Sequence, residues 1–234
     1  MPVQNLPAPS TPLLLLETRL GLELASLALA YPRLRRTLPR GSGQPVLVIP
    51  GFGMSDRTIT PLLAVLRRLG YAACGWGLGR NLGMRRGVKE QLATRLRELH
   101  EQHTQPVTLV GWSLGGVFAR ELARHQAPYV RRVITLGSPI NGHPDANNMV
   151  TLFRLANRGQ PVKTDLDGFA RRIAPPPVPC TAVYTKTDGI VAWRACLEDP
   201  APNTENVEVH GSHLGLPFNP QVLRVIVQRL ARAD

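Results

Sequence analysis

The sequence predicts an α/β fold: a mostly parallel central sheet with helices on both faces and a short cap insertion. Three observations lead there. Short apolar runs rich in Val, Leu and Ile alternate with longer stretches of helical periodicity, the pattern of a parallel sheet buried on both sides. With 234 residues, 43% hydrophobic and 19% charged, the chain can bury a sizeable core, and we expect one domain over 1–234. Glycines punctuate the alternation, with Gly41-Ser42-Gly43 before the first strand and Gly70 where the first sheet-covering helix needs a C-cap.

In chain order, 11–35 reads as an amphipathic helix with leucines on one stripe and Glu17, Arg19 and Glu23 elsewhere, packing on the core. Strands are expected at 45–49, 71–76, 107–110, 132–136, 180–184 and 207–210, and helices at 59–69, 84–100, 114–125 and 220–232. The segment 141–179 breaks this order with polar residues, a helical pattern around 149–156 and the run Pro175-Pro176-Pro177. A connection of that length inside a compact domain is expected to be a cap over a binding site.

Several classes are disfavoured by composition. The apolar run 13–30 is cut by Glu17, Arg19 and Glu23, and no basic residue precedes Leu13, so neither a membrane span nor a secretory leader is expected and the expected address is cytoplasmic. Cys74, Cys180 and Cys196 match no metal spacing and are expected as free, buried thiols. The net charge of +12 is carried by scattered arginine pairs such as Arg35-Arg36 and Arg67-Arg68 without interleaved aromatics, which argues against nucleic acid. Peripheral association with an anionic membrane surface stays open, as does an interfacial role for 11–35.

The chemistry-bearing residues come next. Gly111-Trp112-Ser113-Leu114-Gly115 fits the G-x-S-x-G nucleophile elbow and stands between an expected strand and an expected helix, with Gly116 extending the small-residue run. An attacking serine also needs backbone donors where negative charge develops. The Leu114 NH is one expected donor; the loop Pro50-Gly51-Phe52-Gly53, directly after the first strand, offers the Phe52 NH as the other. Among six histidines, His213 in Gly211-Ser212-His213-Leu214-Gly215 follows the last strand and precedes the last helix, where the general base belongs; His210, at the strand end, is the alternative. Asp188, in the turn after the strand 180–184, is the expected carboxylate partner, ahead of Asp145, Asp165, Asp167, Glu198 and Asp199.

These motifs, with Thr135-Leu136-Gly137-Ser138-Pro139, occur together in an order that resembles the α/β-hydrolase superfamily, in particular its bacterial lipase-like and esterase-like members. The resemblance covers roughly 43–234 and implies ester hydrolysis through an acyl-enzyme on Ser113, with Asp188 and His213 completing a triad. One departure is Pro50-Gly51 where many lipases carry His-Gly. The fold also hosts acyltransferases and noncatalytic binding modules, and both stay open beside the hydrolase. A substrate site lined by Trp112, Leu214 and the cap residues Met149, Leu152 and Phe153 would be apolar and suit a lipid or other hydrophobic ester, and the short cap leads us to expect an open site that accepts small model esters. No metal or cofactor is expected, because a serine mechanism supplies its own nucleophile.

Overall fold

The computed structural model describes residues 6–83, 85, 87–141 and 173–232. The cap residues 142–172, Met149, Leu152 and Phe153 among them, lie outside the described residues. The strands are β1 (Pro45–Ile49), β2 (Ala72–Gly75), β3 (Val107–Trp112), β4 (Val130–Leu136), β5 (Cys180–Tyr184) and β6 (Thr204–Glu208). They form one sheet, parallel throughout, in the order β2-β1-β3-β4-β5-β6. From β1 the chain moves outward to β2 and then crosses back to β3, so the order reverses between β1 and β3. Crevices at the carboxyl ends of strands at such a reversal are where open α/β sheets bind ligands.

The period-two alternation within each strand divides the core between the sheet faces. Val46, Val48, Val110, Ile134 and Val183 belong to one cluster with residues of α2 (Leu20–Thr37), α3 (Asp56–Arg68) and α6 (Pro220–Leu230). Leu47, Ile49, Val107, Leu109 and Val133 belong to the other, against α4 (Val88–His103) and α5 (Leu114–His125). Each fully buried aliphatic side chain contributes about 1.5–3 kcal/mol, so this two-sided burial is the main force assembling the sheet. All three cysteines are free thiols, and burial pushes Cys180 up to about 12, which leaves it protonated and inert.

Three differences from the sequence reading have local causes. The helix expected at 84–100 is Val88–His103, because Gly87 has φ 83°, a left-handed conformation that cannot lie inside a right-handed helix. The strand expected at 207–210 is Thr204–Glu208, in register with β5 from Cys180 opposite Thr204 to Tyr184 opposite Glu208. The helix expected over 11–35 is three pieces: α1 (Thr11–Leu15), a short 3-10 turn (Leu16–Arg19) and α2. Its orientation also differs. Glu17 is 5% exposed, whereas Leu22 and Leu29 are 74% and 83% exposed; Leu27 and Leu34 are the leucines that enter the core.

Both ends of the insertion are tied to α5 by one side chain. The buried Arg120 guanidinium donates to the carbonyls of Ile140, Ile173 and Ala174 and pairs with the buried Glu198 carboxylate at 2.8 Å. Burial is the main influence on both groups, lowering Arg120 and raising Glu198, and their mutual attraction opposes it.

Candidate active site

The site is built on the carboxyl ends of β1, β3, β4, β5 and β6. Ser113 joins β3 to α5 with φ 53° and ψ −123°. For a residue with a Cβ this costs on the order of 1–3 kcal/mol and persists only where the surroundings impose it. Here they do. Ser113 N donates to Leu136 O at 2.8 Å, and Gly116 N donates back to Ser113 O at 2.9 Å. The flanking glycines permit the turn: a Cβ on Gly111 would strike Gly116, and one on Gly115 would strike the Ile49 carbonyl. The elbow therefore brings strand and helix closer than side chains allow.

Leu114, whose NH is the first expected donor, opens α5 directly after Ser113. The loop after β1 lies against the same serine, since a Cβ on Gly51 would sit 3.3 Å from Ser113 Cβ. Its shape comes from a residue the sequence reading passed over. Asn81, fully buried, donates from Nδ2 to Pro50 O at 2.7 Å, accepts from Gly53 N at 2.6 Å and donates from its own N to Met54 O at 2.8 Å. It thus holds both sides of Phe52, the expected second donor.

Asp188 and His213 meet as expected. Both are 2% exposed, and His213 Nδ1 lies 2.7 Å from Asp188 Oδ2. A carboxylate only accepts, so in the neutral ring the proton sits on Nδ1 and Nε2 carries the lone pair. The other carboxylate oxygen, Oδ1, accepts from Ile190 N at 2.8 Å and Val191 N at 2.7 Å, fixing its orientation. Burial alone would depress the His213 imidazole, but the charge and hydrogen bond of Asp188, with Glu17 behind, more than reverse this and hold it above its ordinary value. The alternative base, His210, stays exposed before this loop, its backbone NH on Gln221 Oε1.

Ser113 and His213 share no hydrogen bond; Trp112 is the link between them, its indole Nε1 donating to His213 O at 3.1 Å. Expected as a pocket wall, Trp112 is buried in the core and anchors the histidine loop. Leu214 is half-buried against the same cluster, and Leu114 packs on the opposite one. Gly137, at φ 57° after β4, lies against the pair itself: a Cβ there would sit 2.9 Å from His213 Nδ1 and 3.2 Å from Asp188 Oδ2. Among the described residues no group of three or more His, Cys, Asp or Glu could hold a metal ion.

The largest departure lies at the N-terminal segment. Glu17 Oε1 accepts from Gly189 N at 2.8 Å and His213 N at 3.0 Å, and its Oε2 from Leu214 N at 2.8 Å. Glu23 accepts from Ser212 N and Ser212 Oγ, both at 2.6 Å. Arg19 donates to Gly211 O at 3.1 Å and Thr187 O at 3.4 Å. Periodicity alone places these three charges off the leucine stripe; no local signal marks a carboxylate whose partners lie more than 170 residues away.

A family model described as palmitoyl protein thioesterase matches residues 45–186, more than half of the chain. The chain belongs to the palmitoyl protein thioesterase family. Within this thioesterase family member the match runs from β1 through the elbow and β5 and ends two residues before Asp188. Curated proteins give no match. Among solved structures it is similar to a monoacylglycerol lipase of Paleococcus ferrophilus, with 17% identity, TM-score 0.57, and coverage of 80% of this chain and 95% of that one. An α/β serine hydrolase homologue from Coxiella burnetii gives 20% identity, TM-score 0.57, and coverage of 83% and 89%. Aspergillus fumigatus lipase B gives 16% identity, TM-score 0.62, and coverage of 82% of this chain and 53% of that one. The fold of this thioesterase family member is the α/β-hydrolase fold, and membership supports hydrolysis of ester bonds in the broad sense.

Proposed function

We propose that this chain is a serine hydrolase that cleaves carboxylic esters and thioesters of apolar acyl groups through an acyl-enzyme on Ser113. The observation that carries the reading is the His213–Asp188 pair, buried and hydrogen bonded, on the same sheet edge as a serine held at φ 53°. In this reading His213 Nε2 takes the Ser113 proton as Oγ attacks the acyl carbonyl. The Phe52 and Leu114 NH groups stabilise the oxyanion, each such donor being worth on the order of 10²–10³ in rate. Collapse expels the alcohol or thiol with the proton returned by His213; a water activated by the same nitrogen then cleaves the acyl-enzyme. Throughout, Asp188 keeps the imidazole in the productive tautomer and stabilises its charged form. Leu214 and the cap residues Met149, Leu152 and Phe153 belong to the proposed apolar acyl site.

The test is pre-steady-state kinetics on p-nitrophenyl esters from acetate to palmitate and on a palmitoyl thioester, with Ser113→Ala and His213→Ala beside the native protein. A burst lost in both variants supports the reading. Folded native protein without turnover on any of these substrates overturns it, and acyl transfer only in the presence of an added alcohol or amine would move it to an acyltransferase.

A specific observation supports a second, separable proposal, peripheral association with anionic lipid. Among the described residues no helix is long and apolar enough to cross a membrane. Yet Leu15, Leu22, Leu24 and Leu29 are exposed on the N-terminal helices, and Arg33, Arg35 and Arg36 are exposed at the end of α2. Apolar side chains beside exposed cations suit an anionic bilayer surface.

A further inference from the structure

We propose that Glu17 is a positioning residue for the reaction, a carboxylate from the N-terminal segment that holds the Asp188 loop and the His213 loop in register. The proposal rests on the Ser113 reading, since it assigns Glu17 to the acid and base which that reading uses.

The geometry is selective. One buried carboxylate accepts three backbone NH groups, those of Gly189, His213 and Leu214. The first follows the acid; the other two are the base itself and its successor. Three donors compensate the desolvation of an ionised group that is only 5% exposed. A buried charge is a poor device for stability alone, because an apolar filler of the same volume usually does as well. Bridging two loops at a fixed separation is something an apolar filler cannot do.

Neighbouring contacts of the same segment act on the same loops. Glu23 fixes Ser212, the residue before the base. Arg19 fixes the carbonyls of Gly211 and Thr187, upstream of base and acid. The Leu13 backbone lies so close to Gly189 that a Cβ there would collide with it. Segment 13–23 is therefore an internal brace across the acid–base half of the site.

Charge gives Glu17 a signature that a spacer would lack. The charges acting on the His213 ring are Asp188, through Nδ1, and Glu17 behind the backbone, both favouring the imidazolium. Glu23 bonds to Ser212 and Arg19 to Gly211, each on the chain just before the ring. Removing the Glu17 charge while keeping its shape should therefore alter the titration of His213 as well as the rate.

The experiment uses the full chain with Glu17→Gln and Glu17→Ala, NMR titration of the His213 imidazole, and steady-state kinetics on a p-nitrophenyl ester. In Glu17→Gln the amide cannot accept from all three NH groups. We expect the His213 pKa to fall, the acid limb of kcat/KM to move to lower pH, and kcat to drop on the order of tenfold to a hundredfold with KM nearly constant. If Glu17→Ala does not fold, the isosteric Glu17→Gln carries the test. A folded Glu17→Gln with native kcat overturns the proposal. If the native protein turns over no ester, the Ser113 reading fails instead, and an unchanged His213 titration in Glu17→Gln then overturns the Glu17 assignment separately.

Discussion

The two halves of the proposed site, nucleophile and acid–base, are held by different means. The nucleophile half is local: Ser113 takes its conformation from glycines within 111–116 and from the ends of β1 and β4 that press on them. The acid–base half is remote: Asp188 and His213 stand on separate loops, braced by Glu17 at separations of 172 and 196 residues. The family match follows the same division, covering the elbow and ending before Asp188. Backbone constraints within a few residues make a motif; clamps formed by distant side chains leave none.

The largest expected effect breaks the acid–base half without touching the elbow. In Asp188→Asn the ring can bind through the wrong tautomer, and kcat should fall about 10⁴-fold while the fold persists. The pH dependence sharpens this. A general base must be neutral, so native kcat/KM should rise with pH through a His213 pKa held above its ordinary value. Removing the carboxylate removes the main cause raising that pKa and leaves burial, which lowers it, so the acid limb of the residual activity should move to lower pH. A limb that stays in place would mean that another group controls it.

The elbow should fail through the fold. Gly115→Ala places a methyl group against the Ile49 carbonyl, a backbone atom that cannot turn away. We expect a loss of roughly 2–4 kcal/mol in urea unfolding, with activity lost alongside stability. Gly137→Ala, which adds the strain of φ 57° and crowds His213 Nδ1, should instead cost activity beyond its loss of stability. Equal proportions in the two variants would erase the distinction between the halves.

How much of this could be read from the chain follows from the same contrast. Ser113, Asp188 and His213 could be singled out as candidates because an elbow pattern, a turn after a strand and a loop before the last helix each have a fixed place in the order of elements. The parallel sheet was legible because central strands such as β1 and β3 are buried on both faces and so carry continuous apolar runs, whereas β6, half exposed and polar, was placed three residues late. Glu17 and Asn81 were not. A buried carboxylate inside a leucine-rich helix looks, by periodicity, like a solvated one, and the carbonyls and NH groups that bind Asn81 have no side-chain identity to read.

A smaller effect concerns the joint between the halves. Arg120, on the elbow helix, meets Glu198 beyond the acid loop and also holds Ile140 and Ile173 at the ends of the insertion. Glu198→Ala strands a buried guanidinium, and breaking such a pair costs about 3–5 kcal/mol; the carbonyls that also accept from Arg120 should keep the loss toward the lower end. Urea unfolding measures it, and a loss under about 1 kcal/mol would show that those carbonyls suffice.

The smallest effect on the fold should fall on the outer face of the same segment that braces the site from inside. Leu22 and Leu29 are 74% and 83% exposed, so Leu22→Ser with Leu29→Ser should change stability by less than about 1 kcal/mol. If those leucines enter a bilayer, the double variant should lose cosedimentation with phosphatidylserine-containing vesicles, and 0.5 M salt should weaken native binding by screening Arg33, Arg35 and Arg36. Native protein that ignores such vesicles but forms a dimer lost in the double variant would reassign the face to self-association. With vesicle binding, the contrast between the halves gains a directional consequence. Force applied to the N-terminal helices reaches Glu17 and Glu23 first, so a bound surface should alter the pH profile set by His213 and leave the conformation of Ser113, fixed by its own glycines, as it is.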